Sequence, residues 1–264
     1  LGFFSDVQYA NQPNRGACCY RDSLCFLEQA IDCFNERDLE AVINLGDLVD
    51  SNDSDHLDAV LNVLKASRHP VINVLGNHDL LGPTKRQEVL SRLDIEKTWG
   101  QCFSMGKWRV VMLDSTEISK QSVKPSSLEK STSQIHRLRQ LGDPCAENWN
   151  GMASSQQLRE IEGVLIEAGK CNDRVLILNH MLVGEGSGSS EHFCWNHREL
   201  RRLFEVNRSV AAHFNGHDHG GGFITDKQTG IHYLTFPAIC DSVGGIGAHA
   251  VAKFEENAIS LEGW

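Results

Sequence analysis

The sequence predicts an α/β fold, namely a four-layer α/β/β/α sandwich of two mixed β-sheets flanked by helices. Over residues 1–214, short apolar segments typical of strands alternate with segments whose apolar residues recur at helical spacing. The last part, residues 222–262, alternates apolar and polar residues like an antiparallel β-meander. Strands that alternate with helices and then finish in antiparallel strands indicate two sheets with helices on their outer faces.

The individual elements follow from these patterns. Residues 22–37 show the helical spacing most clearly, because Leu24, Leu27, Ile31 and Phe34 fall on one face. Further helices are expected at 55–67, 84–93, 154–168 and 195–206. The strands that alternate with them are 1–5, 41–45, 71–75, 174–178 and 210–214, and a hairpin joins 102–105 to 109–113.

Residues 115–150 interrupt this alternation. They are polar, rich in Ser, Lys and Gln, and contain Pro125 and Pro144, so we interpret them as an inserted loop or small cap. The chain shows no internal repeat and no linker. We therefore expect a single domain over residues 1–264 with this one insertion.

Composition excludes several classes of function. The 264 residues carry a formal net charge of −10, which argues against a surface that binds nucleic acid. No apolar stretch approaches the 18 residues or more that a membrane helix needs. We expect a monomer that acts on a small molecule, with neither nucleic acid nor membrane as a partner.

The nine cysteines indicate the cellular compartment. Apart from Cys18 and Cys19 they are scattered, and no CxxC pair occurs. This pattern favours reduced thiols in a cytoplasmic protein, many of them core residues. The alternative is a secreted protein with a disulfide framework.

Polar blocks follow five of the predicted strands. Together they offer carboxylate, amide and imidazole donors but no thiolate. Because ligands bind at the carboxyl ends of strands in α/β sheets, five such blocks can converge on one site. The donors suit Mn²⁺, Fe or Zn²⁺ in an oxygen and nitrogen site rather than a Cys-rich structural zinc site. The blocks are Asp6–Gln8, Gly46–Asp50, Gly76–Asp79, Asn179–His180 and Gly216–His219.

The order and spacing of these blocks resemble the calcineurin-like metallophosphoesterase superfamily, whose pattern is D-x-H, G-D-x-x-D, G-N-H-[DE], a single H and G-H-x-H. The resemblance covers nearly the whole chain and implies a metallophosphoesterase-like fold with two divalent metal ions. It implies that Asp6 and His219 hold the first ion and that Asp47 bridges both. The ligands that it implies for the second ion are Asn77, His180 and His217.

His78 and Asp79 are the catalytic pair that the resemblance implies. His78 would face the substrate, oriented by Asp79, rather than bind metal. As an imidazolium it would neutralise charge on the phosphate and protonate the leaving oxygen. For Asp50 we expect a supporting role, either capping the following turn or holding a ligand histidine.

Gln8 departs from the family pattern, which has His at that position. An amide oxygen is a weaker and harder ligand than imidazole, so a site that contains it favours Mn²⁺ over Zn²⁺, with Fe and Mg²⁺ as further alternatives. Two roles stay open for Gln8: a direct ligand of the first ion, or a hydrogen-bonding residue behind the ligands.

Several short segments extend beyond the metal-ligand pattern, including Tyr20–Ser23 and Trp195–Arg198. With the segments given below, they are similar to the manganese-dependent ADP-ribose/CDP-alcohol diphosphatases. This second resemblance implies a hydrolase that cleaves the diphosphate bond of ADP-ribose, CDP-alcohols or related molecules and releases a nucleoside monophosphate. The alternative is a phosphodiesterase or phosphomonoesterase for cyclic nucleotides or other phosphate esters. A non-enzymatic scaffold would have lost metal ligands, and here only Gln8 deviates. The segments are Asp6–Ala10, Tyr20–Ser23, Asn150–Gly151, Trp195–Arg198 and Gly216–Gly221.

Four residues are candidates for substrate contact. Phe193 and Trp195 flank the segment after His180 and could stack on a nucleobase. Arg21 and Arg198 could hold the second phosphate through paired hydrogen bonds. The competing interpretation places both aromatic residues in the core and both arginines in surface salt bridges.

Overall fold

Strands and helices alternate along most of this computed structural model, which describes residues 1–241, 247–256 and 258–263. The strands are β1 (Gly2–Phe4), β2 (Val42–Asn44), β3 (Val71–Asn73), β4 (Cys102–Met105), β5 (Trp108–Met112), β6 (Ile118–Ser119), β7 (Gly151–Met152), β8 (Arg174–Leu178), β9 (Val210–Asn215), β10 (Gly222–Thr225), β11 (His232–Thr235), β12 (His249–Phe254) and β13 (Ile259–Gly263). The α-helices are α1 (Ser23–Asn35), α2 (Ser54–Leu64), α3 (Arg86–Arg92), α4 (Pro125–Gln140), α5 (Ser155–Lys170) and α6 (His197–Val206).

The first of two compact units combines residues 1–96 with residues 236–264. Its sheet has the strand order β13-β12-β1-β2-β3. Strands β1, β2 and β3 are parallel, and β12 pairs antiparallel with β1. The carboxyl ends of the three parallel strands therefore share one edge, and a polar block follows each of them.

Helix α1 shows how the sequence forms the core of this unit. Its apolar residues at helical spacing make one buried face, which includes Leu27, Ile31 and Phe34. Truncating a buried aromatic residue such as Phe34 to Ala typically costs about 3–5 kcal/mol. The neighbouring helix α2 begins at a cap in which the carboxylate of Asp53 accepts a hydrogen bond from the backbone of Asp55.

The second unit comprises residues 97–235. Its six-stranded sheet has the order β10-β11-β9-β8-β5-β4. Strands β5, β8, β9 and β11 are parallel, whereas β4 and β10 run antiparallel at the two edges. The blocks at 179–180 and 216–219 follow the central strands β8 and β9. Two mixed sheets with helices confirm the predicted fold class.

The C-terminal strands differ from the predicted meander. Strands β10 and β11 form an antiparallel pair in the sheet of the second unit, and β11 also pairs in parallel with β9. Strands β12 and β13 instead belong to the sheet of the first unit. Alternation of apolar and polar residues identifies a strand but does not identify its partner strand, so the pattern could not reveal this division.

The polar segment at 115–150 contains a full helix. Helix α4 begins with Pro125 in its first turn, where a missing N–H costs nothing. Only Ser131, Ile135 and Leu138 are buried along its 16 residues. This sparse apolar face made the segment look like a loop. Within the described residues, no helix combines the length and the apolar character that a membrane crossing requires.

Candidate metal centre

Three acidic or amide side chains of the first unit lie at the shared edge of its parallel strands. Asp6 follows β1, Asp47 follows β2 and Asn77 follows β3, and each is at most 1% exposed. A Cβ atom on Gly76 would lie 2.0 Å from Asp47 Oδ1 and 2.3 Å from the Asp47 backbone nitrogen. Only glycine therefore lets the block after β3 approach the Asp47 carboxylate this closely.

Backbone strain coincides with the predicted ligands. Among the described residues, six that are not glycine have a positive φ. Two of them, Asp94 and Asn172, follow the ends of α3 and α5, where a left-handed residue is usual. The other four have no helix end to account for a conformation that costs about 1–3 kcal/mol. They are Asp6 at 53°, Gln8 at 42°, Asp47 at 58° and His217 at 72°.

Asp79 is fully buried and shapes the two loops that carry the donors. Its carboxylate accepts hydrogen bonds from the backbone nitrogens of Asp47 at 3.0 Å, Leu48 at 2.8 Å and Gly76 at 2.9 Å. Charged acceptors make the stronger hydrogen bonds of a protein. Asp79 thus stabilises the strained turn at Asp47, whereas the sequence led us to expect it to orient His78.

Asp50 is the residue that orients His78. The ring Nδ1 of His78 lies 2.7 Å from the Asp50 carbonyl oxygen and 3.5 Å from Asp50 Oδ1. Because a carbonyl only accepts, Nδ1 carries the proton that it donates, and Nε2 is the nitrogen that can exchange a proton. The His78 backbone nitrogen donates to Asp47 Oδ1 at 2.8 Å. Asp50 therefore supports His78 instead of a ligand histidine.

Gln8 is buried beside Asp47. Its side-chain nitrogen donates to Asp47 Oδ2 across 3.4 Å, and its oxygen Oε1 lies 4.0 Å from Cys18 Sγ. In this geometry the side-chain nitrogen of Gln8, rather than its oxygen, faces the Asp47 carboxylate. A direct ligand role requires Oε1, and not Nε2, to face the ion.

Two buried histidines of the second unit face each other. His180 follows β8 and His217 follows β9, and His180 Nε2 lies 3.1 Å from His217 Nδ1. Their ring centroids are 4.8 Å apart. His219, two residues further along, is half-buried. The structure thus brings His180 and His217 together at the carboxyl ends of the two central strands, and His219 follows in the loop after β9.

Asn150 determines which nitrogen of His217 carries a proton. Its side-chain nitrogen donates to the carbonyls of Cys145 at 3.0 Å and Glu191 at 2.7 Å, so its oxygen faces His217 Nε2 at 2.8 Å. The amide oxygen only accepts, so Nε2 of His217 is protonated, and in the neutral ring Nδ1 then offers its lone pair. Sequence analysis assigned Asn150 no role; the residue appeared only in one segment that resembles the diphosphatases.

Each donor set fits a divalent cation. The first unit offers carboxylate and amide groups on a strained backbone, and the second offers the lone pair of His217 Nδ1 towards His180. Oxygen and neutral imidazole donors without thiolate suit Mn²⁺ and similar ions. His180 Nε2 and His217 Nδ1 lie 3.1 Å apart. This separation is close to that of two imidazole nitrogens that bind the same metal ion.

The sequence profile of the calcineurin-like phosphoesterases matches residues 1–221. The chain belongs to this family. It is 27% identical to the manganese-dependent ADP-ribose/CDP-alcohol diphosphatase of Arabidopsis thaliana, covering 100% of this chain and 93% of that protein. It is 26% identical to the diphosphatase of the same name from Danio rerio, covering 100% and 94%. A solved dimetal phosphatase from Danio rerio superposes with a TM-score of 0.91 at 26% identity over 99% of this chain and 94% of that one.

In this phosphoesterase the aromatic residues predicted to stack on a base are core residues. Phe193 is 4% exposed and Trp195 is 3% exposed, and both pack in a cluster with Ile135 and Leu138 of α4. The Trp195 indole nitrogen donates to the carbonyl of Glu147 at 3.2 Å. Their burial leaves little ring surface for a base, and the sequence did not reveal the apolar face of α4 that packs against them.

The two arginines predicted to bind phosphate are engaged elsewhere in the phosphoesterase. Arg198 Nη1 lies 2.7 Å from Asp143 Oδ2, and this hydrogen bond raises the pKa of the arginine further above its ordinary value. Arg21 is exposed and donates from Nε to Asn11 Oδ1 at 3.0 Å. Both contacts match the competing interpretation of ordinary surface residues.

A different aromatic residue, Trp149, lies near the predicted ligand histidines. The ring of His192 meets that of His217 edge-on at 5.2 Å between centroids, and Trp149 lies 6.2 Å from His192. Trp149 is 39% exposed, so its ring is accessible to a ligand. Sequence reasoning missed both, since His192 matches no family block and Trp149 lies in the polar insertion.

Proposed function

We propose that this phosphoesterase cleaves the diphosphate bond of nucleoside diphosphate-linked small molecules, such as ADP-ribose or CDP-alcohols, and releases a nucleoside monophosphate. The names of the Arabidopsis and zebrafish relatives, which match over the whole chain, support this substrate class. Cleavage of cyclic nucleotides or phosphomonoesters is the alternative, and it rests on family membership alone.

We propose Mn²⁺ for both metal positions. Asp6, Gln8 and His219 would hold the first ion, Gln8 through Oε1 after its amide rotates, and Asp47 would bridge the two. Backbone strain at four of the seven proposed ligands is the observation that carries this assignment, because such strain persists where function requires it. The manganese dependence in the names of the relatives supports the choice of metal. The second ion would be held by Asn77, His180 and His217.

His78 would provide the proton that the leaving oxygen needs. Two bound divalent ions would supply an activated water and neutralise charge on the phosphate. His78, whose Nδ1 donates to the Asp50 carbonyl, would deliver a proton from Nε2 to the leaving oxygen. Asp79 would act as a positioning residue that keeps Asp47 in its strained conformation.

We further propose that the protein acts as a monomer in the cytoplasm. Five cysteines are free thiols that are at least partly exposed, namely Cys19, Cys25, Cys33, Cys102 and Cys171. Free thiols persist in a reducing compartment.

A hydrolysis panel tests the proposed activity. The protein would be assayed with Mn²⁺, Mg²⁺ and Zn²⁺ on ADP-ribose, CDP-choline, 2′,3′-cyclic AMP and p-nitrophenyl phosphate. We expect Mn²⁺ to give the highest kcat/KM on ADP-ribose or CDP-choline, with AMP and ribose 5-phosphate, or CMP and phosphocholine, as products. Asp47→Asn should abolish turnover, and the exposed Asp38→Asn should not. Preference for the cyclic nucleotide or the monoester would overturn the proposal.

A further inference from the structure

Two cysteines and an aspartate of the first unit form a cluster that the proposed metal centre does not use. The sulfur atoms of Cys18 and Cys240 and a carboxylate oxygen of Asp241 all lie within 4.8 Å of one another. Cys240 is completely buried and Cys18 is 8% exposed, whereas Asp241 is half-buried and gives the cluster access to solvent. Cys240 Sγ lies 3.4 Å from Asp241 Oδ1.

Backbone hydrogen bonds hold the two halves of this cluster in place. The loop that carries Cys18 closes on itself through two bonds between Arg15 and Cys18, at 3.0 and 3.1 Å. The next residue, Cys19, donates to the Cys240 carbonyl at 2.7 Å. Cys240 in turn donates to the carbonyl of Asp6 at 3.1 Å. The three donor groups are therefore gathered before any ligand binds.

Their spacing is close to that of a thiolate-rich zinc site. With Zn–S bonds of about 2.3 Å and Zn–O bonds of about 2.0–2.2 Å, ligand atoms around one tetrahedral ion lie about 3.3–3.8 Å apart. A donor set already within 4.8 Å reaches this spacing by small side-chain movements. Three protein ligands would leave the fourth position to water.

We propose that Cys18, Cys240 and Asp241 form a separate site for one thiophilic divalent cation of the Zn²⁺ type. Thiolate ligands select Zn²⁺ and Cd²⁺ over Mn²⁺ and Mg²⁺, so this site and the oxygen and nitrogen donors of the proposed centre bind different ions. Binding exchanges two thiol protons for the cation, with no change in oxidation state. The site is independent of which phosphate ester the protein cleaves.

Occupancy of this site has a consequence for the neighbouring donors, and this step rests on the proposed function. Cys18 Sγ lies 4.0 Å from Gln8 Oε1, and the Cys240 backbone donates to Asp6. A thiolate that binds Zn²⁺ has no proton to donate to Gln8. Zinc would therefore alter the proposed ligands of the first ion without displacing that ion.

A cadmium titration of the whole protein tests the site. The protein would be loaded with Mn²⁺, kept reduced by a phosphine and titrated with Cd²⁺, and the ultraviolet thiolate-to-cadmium charge-transfer band would be recorded. We expect one equivalent to saturate the band in the wild type. Cys18→Ser and Cys240→Ser should lose the band, and the exposed Cys102→Ser of the other unit should keep it.

Asp241→Asn provides a second test in case the two serine variants fail to fold. It keeps both thiols and should bind Cd²⁺ at least about tenfold more weakly, the smallest loss seen when groups around a metal are changed. Wild-type affinity in Asp241→Asn overturns the proposal, as does a band that persists in both serine variants or is missing in the folded wild type. Because the band does not depend on turnover, a failed hydrolysis panel leaves this result interpretable.

Discussion

The side-chain oxygen of Asn150 lies 2.8 Å from Nε2 of His217, and it can only accept a hydrogen bond because the amide nitrogen already donates to two backbone carbonyls. This contact fixes the neutral tautomer whose Nδ1 lone pair faces His180. We therefore expect the metal affinity of His217, a proposed ligand, to depend on a residue that is not itself a ligand.

Replacing Asn150 by Leu should weaken Mn²⁺ binding by about 10–100-fold, because His217 loses the acceptor that holds its tautomer. Asn150→Asp, which retains an acceptor, should lose less. Calorimetric titration with Mn²⁺ measures both, and the exposed Asn148→Leu is the matched control. Wild-type affinity in a folded Asn150→Leu protein would show that the contact has no part in binding.

The loss in kcat on removal of the His78 imidazole should increase with the basicity of the leaving group. His78→Ala should lower kcat on an alkyl phosphomonoester by about 100-fold or more, the usual contribution of a general acid. Its effect on ADP-ribose should be smaller, since the leaving group is itself a phosphate. Steady-state kinetics of His78→Ala and the exposed His136→Ala give the comparison. Equal losses on both substrates would refute this role.

Gly76→Ala should abolish metal binding. The new methyl group would collide with Asp47 at 2.0 Å from Oδ1, and such overpacking destabilises folding by about 1–3 kcal/mol. Gly163 in α5 has no heavy atom within 4 Å of the same added group. Gly163→Ala should instead stabilise the protein by about 0.5–1 kcal/mol. Denaturant unfolding and Mn²⁺ titration of both variants check the pair; a Gly76→Ala protein that binds Mn²⁺ normally would contradict the packing argument.

Acid should destabilise the protein through His213. This ring is fully buried near Phe204 and Tyr233, makes no hydrogen bond to the described residues, and burial lowers its pKa to about 3. An unfolded histidine has a pKa of about 6.5, so the unfolded chain binds the proton first as the pH falls. Stability is thus complete above about pH 6.5 and falls by about 1.4 kcal/mol per pH unit between that value and about pH 3.

His213→Leu should remove this component of the slope. Urea unfolding of the chelator-treated protein at about pH 7.5 and about pH 5 measures it, and the half-buried His232→Leu serves as the control. If wild type and His213→Leu lost the same free energy of unfolding between the two pH values, the neutral buried imidazole would not be the cause.

Trp149 should contribute to nucleotide binding. A base stacked on an aromatic ring gains about 1–3 kcal/mol, so Trp149→Ala should raise KM for ADP-ribose by about 5-fold or more. KM for p-nitrophenyl phosphate should not change, because that substrate has no base. Phe223, 60% exposed on the edge strand β10, provides the control Phe223→Ala. An equal rise in KM for both substrates would remove base stacking as the explanation.

Local sequence was sufficient to predict the position of those candidate site residues that directly follow a strand. Asp47 and Asn77 were predictable because each follows a glycine at the end of a short apolar segment. The roles of Asn150 and Asp50 were not, because they depend on contacts across 67 and 28 positions of the chain. Burial of Trp195 was equally hidden, since the residues that cover it belong to a helix with few apolar positions.

The strand order of the first unit has a consequence for protein synthesis. Strand β1 lies between β2 and β12 in the sheet, although β12 is synthesised only after the whole of the second unit. The continuous segment 97–235 can fold while translation proceeds, as domains generally do. Asp6, Asp47 and Asn77 are synthesised before that segment, yet the sheet that supports them is completed only when β12 and β13 emerge after it.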